Sequence, residues 1–132
     1  MVTTAIHAAF MIVTLRLLRA HDNHQGWQTP WARIRVTGGS ILVMFLASLI
    51  ETSLWAAAYL MLGAISGAEP ALYFSMVTFT TLGYGEIVLE PQWRLLASFE
   101  AANGIIMFGW TTAVVVAVVQ RVYLKARADP GS

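Results

Sequence analysis

Three long apolar stretches and one short one account for most of the chain, with polar clusters between them. Residues 2–18 are apolar apart from threonines, His7 and Arg16. At ~1.5 Å per helical residue they are just long enough to cross a hydrocarbon core of ~30 Å. A cleaved signal peptide carries its positive charge ahead of the apolar run, whereas Arg16 and Arg19 come at the end of this one. Residues 1–19 are therefore read as a retained transmembrane helix, in preference to an amphipathic helix lying on the membrane surface. Residues 20–37 are polar and punctuated, and Trp27 and Trp31 beside Arg33 and Arg35 match the headgroup zone. They predict a cytoplasmic, interfacial linker in which His21 and His24 are solvated loop side chains. A second span covers 38–63, closed by Gly63, Ser66 and Gly67.

The short stretch is the informative one. Residues 70–80 are apolar and aromatic, yet as a helix they cover roughly 16 Å, half a bilayer. Pro70 suits the first helical position, and Glu69 suits a cap at the positive end of the helix dipole. Thr81-Leu82-Gly83-Tyr84-Gly85 follows, and its glycines favour irregular backbone. Such backbone is tolerated at membrane depth only where protein or a water-filled path surrounds it. The pattern predicts a re-entrant loop, with a helix at 70–80 and an irregular segment at 81–85. Residues 86–94 are a polar exit carrying Pro91 and Trp93, residues 95–120 a third full span, and residues 121–132 a short tail.

Composition agrees with this pattern. The 132 residues are 58% hydrophobic and 11% charged, against roughly a quarter charged in soluble domains. Mean hydropathy is +0.65. The fold class expected is an all-α membrane protein. The absence of cysteine excludes disulfide and thiol chemistry. No nucleophile–base pair, metal-ligand spacing or phosphate loop is present, so no enzyme, no organic cofactor and no nucleic-acid partner is expected.

Charge gives an orientation. Seven of the eight basic residues, all but Arg94, fall on one side of the predicted spans. The positive-inside rule makes that side cytoplasmic, with the N-terminus outside and the C-terminus in the cytoplasm. On the outer side three carboxylates, Glu69, Glu86 and Glu90, against Arg94 leave −2 on each chain.

Thr81-Leu82-Gly83-Tyr84-Gly85 resembles the selectivity filter of the potassium-channel family, which reads T-V-G-Y-G. The resemblance extends from Ile41 to Gln120. The run Tyr73-Phe74-Ser75-Met76-Val77-Thr78-Phe79-Thr80 before the filter, with Glu86 after it, is similar to small bacterial two-helix-pore channels. Gly104-Ile105-Ile106-Met107-Phe108-Gly109-Trp110 is similar to the family's inner helix.

The resemblance implies a pore domain at 38–120, made of an outer helix (38–63), a pore helix (70–80), the filter (81–85) and an inner helix (95–120). It implies a homotetramer in the lipid bilayer, in the plasma (inner) membrane of a prokaryote, since one chain supplies one filter strand. K+ ions would then bind carbonyl oxygens of Thr81, Leu82, Gly83 and Tyr84, which replace the hydration shell, with Gly85 completing the filter. Gly104 falls where a gating-hinge glycine is expected. Ile105, Phe108, Thr112 and Val116 share a helical face; packing between helices explains that spacing equally well, and the resemblance favours a cavity lining.

This chain departs from the family in Leu82 for valine, in Glu86 for aspartate and in its extra N-terminal helix. Intramembrane Glu51, Glu100, Asn103 and His7 should each face protein or water, because an ionised group in hydrocarbon costs roughly 2.5 kcal/mol or more. Glu51, Glu86, Glu100 and Asn103 are candidates for gating or for support of the pore helix. The function expected is passive, potassium-selective conduction. The alternatives are a weakly selective cation channel and a non-conducting membrane subunit or sensor that keeps the pore fold.

Overall fold

The structure is a computed structural model that describes the backbone of residues 2–22 and 29–128 and the side chains of residues 2–19 and 29–123. His24 and Trp27 of the predicted linker and the last four residues of the predicted tail lie outside the described residues. Among the described residues all regular structure is helical: α1 (Val2–Asp22), α2 (Pro30–Met61), α3 (Ala68–Phe79), a 3₁₀ turn at Pro91–Trp93, and α4 (Arg94–Ala128). The helices α1, α2 and α4 are long and apolar enough to cross a membrane, and α3 is not.

Helix α2 starts well before the expected residue 38. Thr29 precedes Pro30, and the Ala32 amide donates to the Thr29 hydroxyl at 3.3 Å. A threonine cap followed by proline in the first helical position is a start signal, so the predicted interfacial segment is the first turns of α2. At its other end the Gly63 amide bonds the Leu60 carbonyl and the Ala64 amide the Tyr59 carbonyl, the paired bonds that close a helix. Helix α4 runs past residue 120, because no glycine or proline interrupts the chain from Gln120 to Ala128.

The chain forms two compact units, one of Met1–Ala47 with Trp110–Ser132, the other of Ser48–Gly109. In the first, α1 buries Thr3, His7, Thr14 and Leu18 on one face and exposes Ile12, Val13 and Leu17 on the other. Polar groups turn toward protein and hydrocarbon faces outward. That polarity fits a spanning helix, since a helix lying on the membrane would keep its polar face in water. The Thr14 hydroxyl returns to the Phe10 carbonyl at 2.9 Å. His7 lies 3.3 Å from the Thr111 hydroxyl, with its ring tilted against Trp110 at a centroid distance of 6.1 Å. The apolar core beside these contacts joins Leu18, Met44, Val114, Val118 and Val122. The three valines recur at four-residue intervals and so share one face of α4.

In the second unit the C-terminal part of α2, α3 and the start of α4 enclose Ala56, Tyr59, Ile65, Ala71, Phe74 and Leu89. The Tyr59 ring meets Phe74 edge-on at 5.2 Å and 89°. Such aromatic pairs add about 0.5–1.5 kcal/mol beyond the area they bury.

Met44 is fully buried in the first unit, whereas Leu42 is 57% exposed on the same helix. Met44→Ala should destabilise the protein by about 2–5 kcal/mol and lower its thermal unfolding midpoint in detergent, and Leu42→Ala should leave that midpoint nearly unchanged.

Candidate functional site

Helix α3 begins at Ala68, with Gly67 as its cap and no side-chain cap bond. Glu69 is therefore not the expected cap. It sits in the first turn, where its charge still complements the helix dipole. At the far end the Thr80 hydroxyl donates to the Met76 carbonyl at 2.7 Å, and the Thr81 amide to the Thr78 carbonyl at 2.9 Å.

The next two amides set the direction of the loop. Leu82 N–H and Gly83 N–H both turn back onto the Val77 carbonyl, at 3.0 and 3.4 Å. Among the described residues all peptide bonds are trans. In a trans peptide the carbonyl points opposite to the N–H of the next residue. The carbonyls of Thr81 and Leu82 therefore both point away from α3.

Two successive carbonyls on one side require backbone of alternating hand. Positive φ occurs at Thr81 (60°), Gly83 (57°) and Gly85 (84°), and not at Leu82 or Tyr84. The glycines adopt this conformation at little cost. Thr81 does not: a β-branched residue at positive φ is strained by about 1–3 kcal/mol, held here by the bonds onto α3. The Leu82 and Tyr84 side chains are 59% and 65% exposed.

The far end of the loop is tied to α3 by the Tyr73 hydroxyl, which donates to Glu86 Oε2. A cleft lined by Tyr73, Val77, Gly83 and Tyr84 separates loop from helix along this side. On its other side α3 runs along α4 in register. Ser75 Oγ meets Glu100 Oε1, and one turn later the Phe79 carbonyl approaches Gly104. The Phe79 ring then meets Phe108 edge-on at 5.8 Å and 71°. Tyr59 of α2 reaches the same carboxyl, its hydroxyl donating to Glu100 Oε2 at 2.6 Å.

Gly104 has a packing reason of its own. A Cβ there would sit 2.0 Å from the Phe79 carbonyl oxygen, and α4 continues unbroken through the position. Asn103 is half-buried beside this stripe, and Glu51 is fully buried on α2. Ile105, Phe108, Thr112 and Val116 are all exposed on α4. Among the described residues no group of three His, Cys, Asp or Glu side chains is placed to hold a metal ion.

The model of a family described as ion channel matches residues 41–121, more than half of the chain. The chain belongs to this ion channel family. No curated protein and no solved structure matches it. The channel is a multi-pass membrane protein. The matched region takes in most of α2, all of α3, the irregular loop and most of α4, and leaves α1 outside. The loop, Tyr73, Ser75, Glu100 and Gly104 all fall within it.

Gly104 and Gly109 test the close approach of α4 to α3, because a Cβ at Gly109 would meet nothing within 4 Å. Gly104→Ala should cut ion flux through the purified channel in liposomes by roughly tenfold or more, and Gly109→Ala should keep it within about twofold of wild type.

Proposed function

We propose that the channel conducts K+ selectively and passively through a pore formed by four copies of the chain. What most supports this reading is the pair of Thr81 and Leu82 carbonyls turned away from α3 by the amides bonded to Val77. Continued through Gly83 and Tyr84 by the same alternation of hand, that strand presents a column of peptide oxygens without fixed charge. K+ enters as cargo, shedding water for these oxygens.

One strand offers an ion oxygens from one side only, so several copies must surround the axis, and the filter resemblance makes that number four. Leu82 and Tyr84, exposed on the single chain, then find cover against neighbours. The electrostatics favour a cation at both ends. The C-terminal end of α3 carries the negative pole of the helix dipole beside the inner mouth. At the outer mouth three carboxylates against Arg94 leave −2 on each chain, about −8 for four, which concentrates cations.

The direct test is the reversal potential of the purified channel in liposomes under opposed K+ and Na+ gradients, with barium as a blocker. The expected result is a potential close to the K+ equilibrium value. Equal permeability would replace this reading with a weakly selective cation channel. Silence at every pH, tension and voltage from an intact tetramer would indicate a non-conducting subunit. Gly83→Ala should abolish selective flux, since an alanine at φ 57° is disfavoured by roughly 1–2 kcal/mol in each copy.

The proposed orientation, N-terminus outside and C-terminus in the cytoplasm of a prokaryotic cell, has its own test. The chain has no cysteine, so a single introduced thiol is the only one present. Gln92→Cys should react with a membrane-impermeant maleimide added to intact cells, and Lys125→Cys only after the membrane is opened.

A further inference from the structure

Four polar groups meet in the second unit: Thr52 and Tyr59 of α2, Ser75 of α3 and Glu100 of α4. Tyr59, Ser75 and Glu100 are fully buried and Thr52 is 4% exposed. Protons can be assigned here by counting donors. The Thr52 carbonyl accepts only. Ser75 Oγ lies 2.7 Å from that carbonyl and is also in close contact with Glu100 Oε1. A serine hydroxyl has a single proton. One proton cannot fully satisfy both contacts, and the Glu100 carboxyl is the group in the cluster able to supply a second. With Glu100 ionised, two acceptors would compete for one proton, and a buried oxygen pair would be pressed together with nothing between them.

We propose that Glu100 is a neutral carboxylic acid that positions the pore helix, its Oε1 proton donated to Ser75 Oγ and its Oε2 accepting from Tyr59. Ser75 then donates to the Thr52 carbonyl, and each proton is used once. The chain of bonds runs from α4 through α3 to α2 and clamps α3 at Ser75, one turn before Phe79 rests on Gly104. Val77, whose carbonyl holds the Leu82 and Gly83 amides, lies between these two fixed points. Glu100 thus acts on the loop through α3 without touching it.

The proton assignment stands whatever ion the channel selects; only the consequence for flux rests on the proposed conduction. Infrared difference spectra of the full-length channel in lipid, wild type minus Glu100→Gln, read the assignment directly. The expected spectrum loses the carbonyl stretch of a protonated carboxylic acid. Loss of the paired carboxylate bands instead would overturn the proposal. Tyr59→Phe removes the hydrogen bond to the acid's carbonyl oxygen and should move that stretch to higher frequency, while an unmoved band would also overturn the assignment.

Flux through the same preparations tests positioning. Glutamine keeps one donor and one acceptor in place, so Glu100→Gln should stay within about twofold of wild type. Glu100→Ala and Ser75→Ala, which break the chain, should lose roughly tenfold, and the glutamine variant is the rescue a mere space-filler would not distinguish. Equal flux in all three variants, or an equal loss in the glutamine and alanine variants with the assembly intact, would refute a positioning role.

Discussion

A peptide group at membrane depth has no water to bond, so every amide of an irregular segment there must find an acceptor in the protein. Where the loop leaves α3, one carbonyl, that of Val77, takes the amides of both Leu82 and Gly83. Satisfying the amides on one side fixes the carbonyls on the other, because the peptide is planar and trans. The pair of carbonyls turned away from α3, those of Thr81 and Leu82, is thus a by-product of hiding the N–H groups. Positive φ at Thr81 and Gly83, with Leu82 of ordinary hand between them, accompanies this arrangement.

The loop can be only as well placed as the helix it leans on. Helix α3 is too short to span a membrane and has no bilayer-wide apolar face to fix its depth. Between helices in lipid there is no hydrophobic driving force, because the tails are as apolar as leucine, and what remains is close packing and internal hydrogen bonds. Both are found along α3. Glycine at position 104 lets two backbones touch, and the buried carboxyl of Glu100 ties α3 to α2 and α4. Tyr73 and Glu86 secure the far end of the loop to the same helix.

Much of this arrangement was legible from residue order, and the rest fails to show for identifiable reasons. Long apolar runs announce the three spans because hydropathy accumulates over many residues, and the shortness of 70–80 announces a helix too short to cross. Gly83 and Gly85 mark their own conformation. Thr81 leaves no such mark, since threonine avoids positive φ and is held there by bonds that sequence does not display. Thr29-Pro30 is a readable helix start, masked by the tryptophans and arginines around it that equally suit a headgroup segment. Gly104 is visible as a glycine, but what it accommodates, the Phe79 carbonyl, is fixed only when α3 and α4 meet. The same holds for Glu100, whose partners lie 25 and 41 residues away along the chain.

Polarity inversion ties these observations to a single solvent. In α1 Thr3, Thr14 and His7 face protein while Ile12, Val13 and Leu17 face outward, and in the second unit Thr52, Ser75 and Glu100 are buried while Phe99 and Leu95 are exposed. A water-soluble protein of this composition would do the reverse. Lipid makes the polar interior the specific part of the structure, since apolar surface is at home anywhere in the bilayer while a hydroxyl or carboxyl has few places to go. Each buried polar group therefore selects a register between helices. Ser75 against Glu100 and Phe79 against Gly104 select the same one, a turn apart on both helices. Two contacts of different chemistry that agree on one register leave α3 little freedom to slide, and the loop inherits that rigidity from the helix.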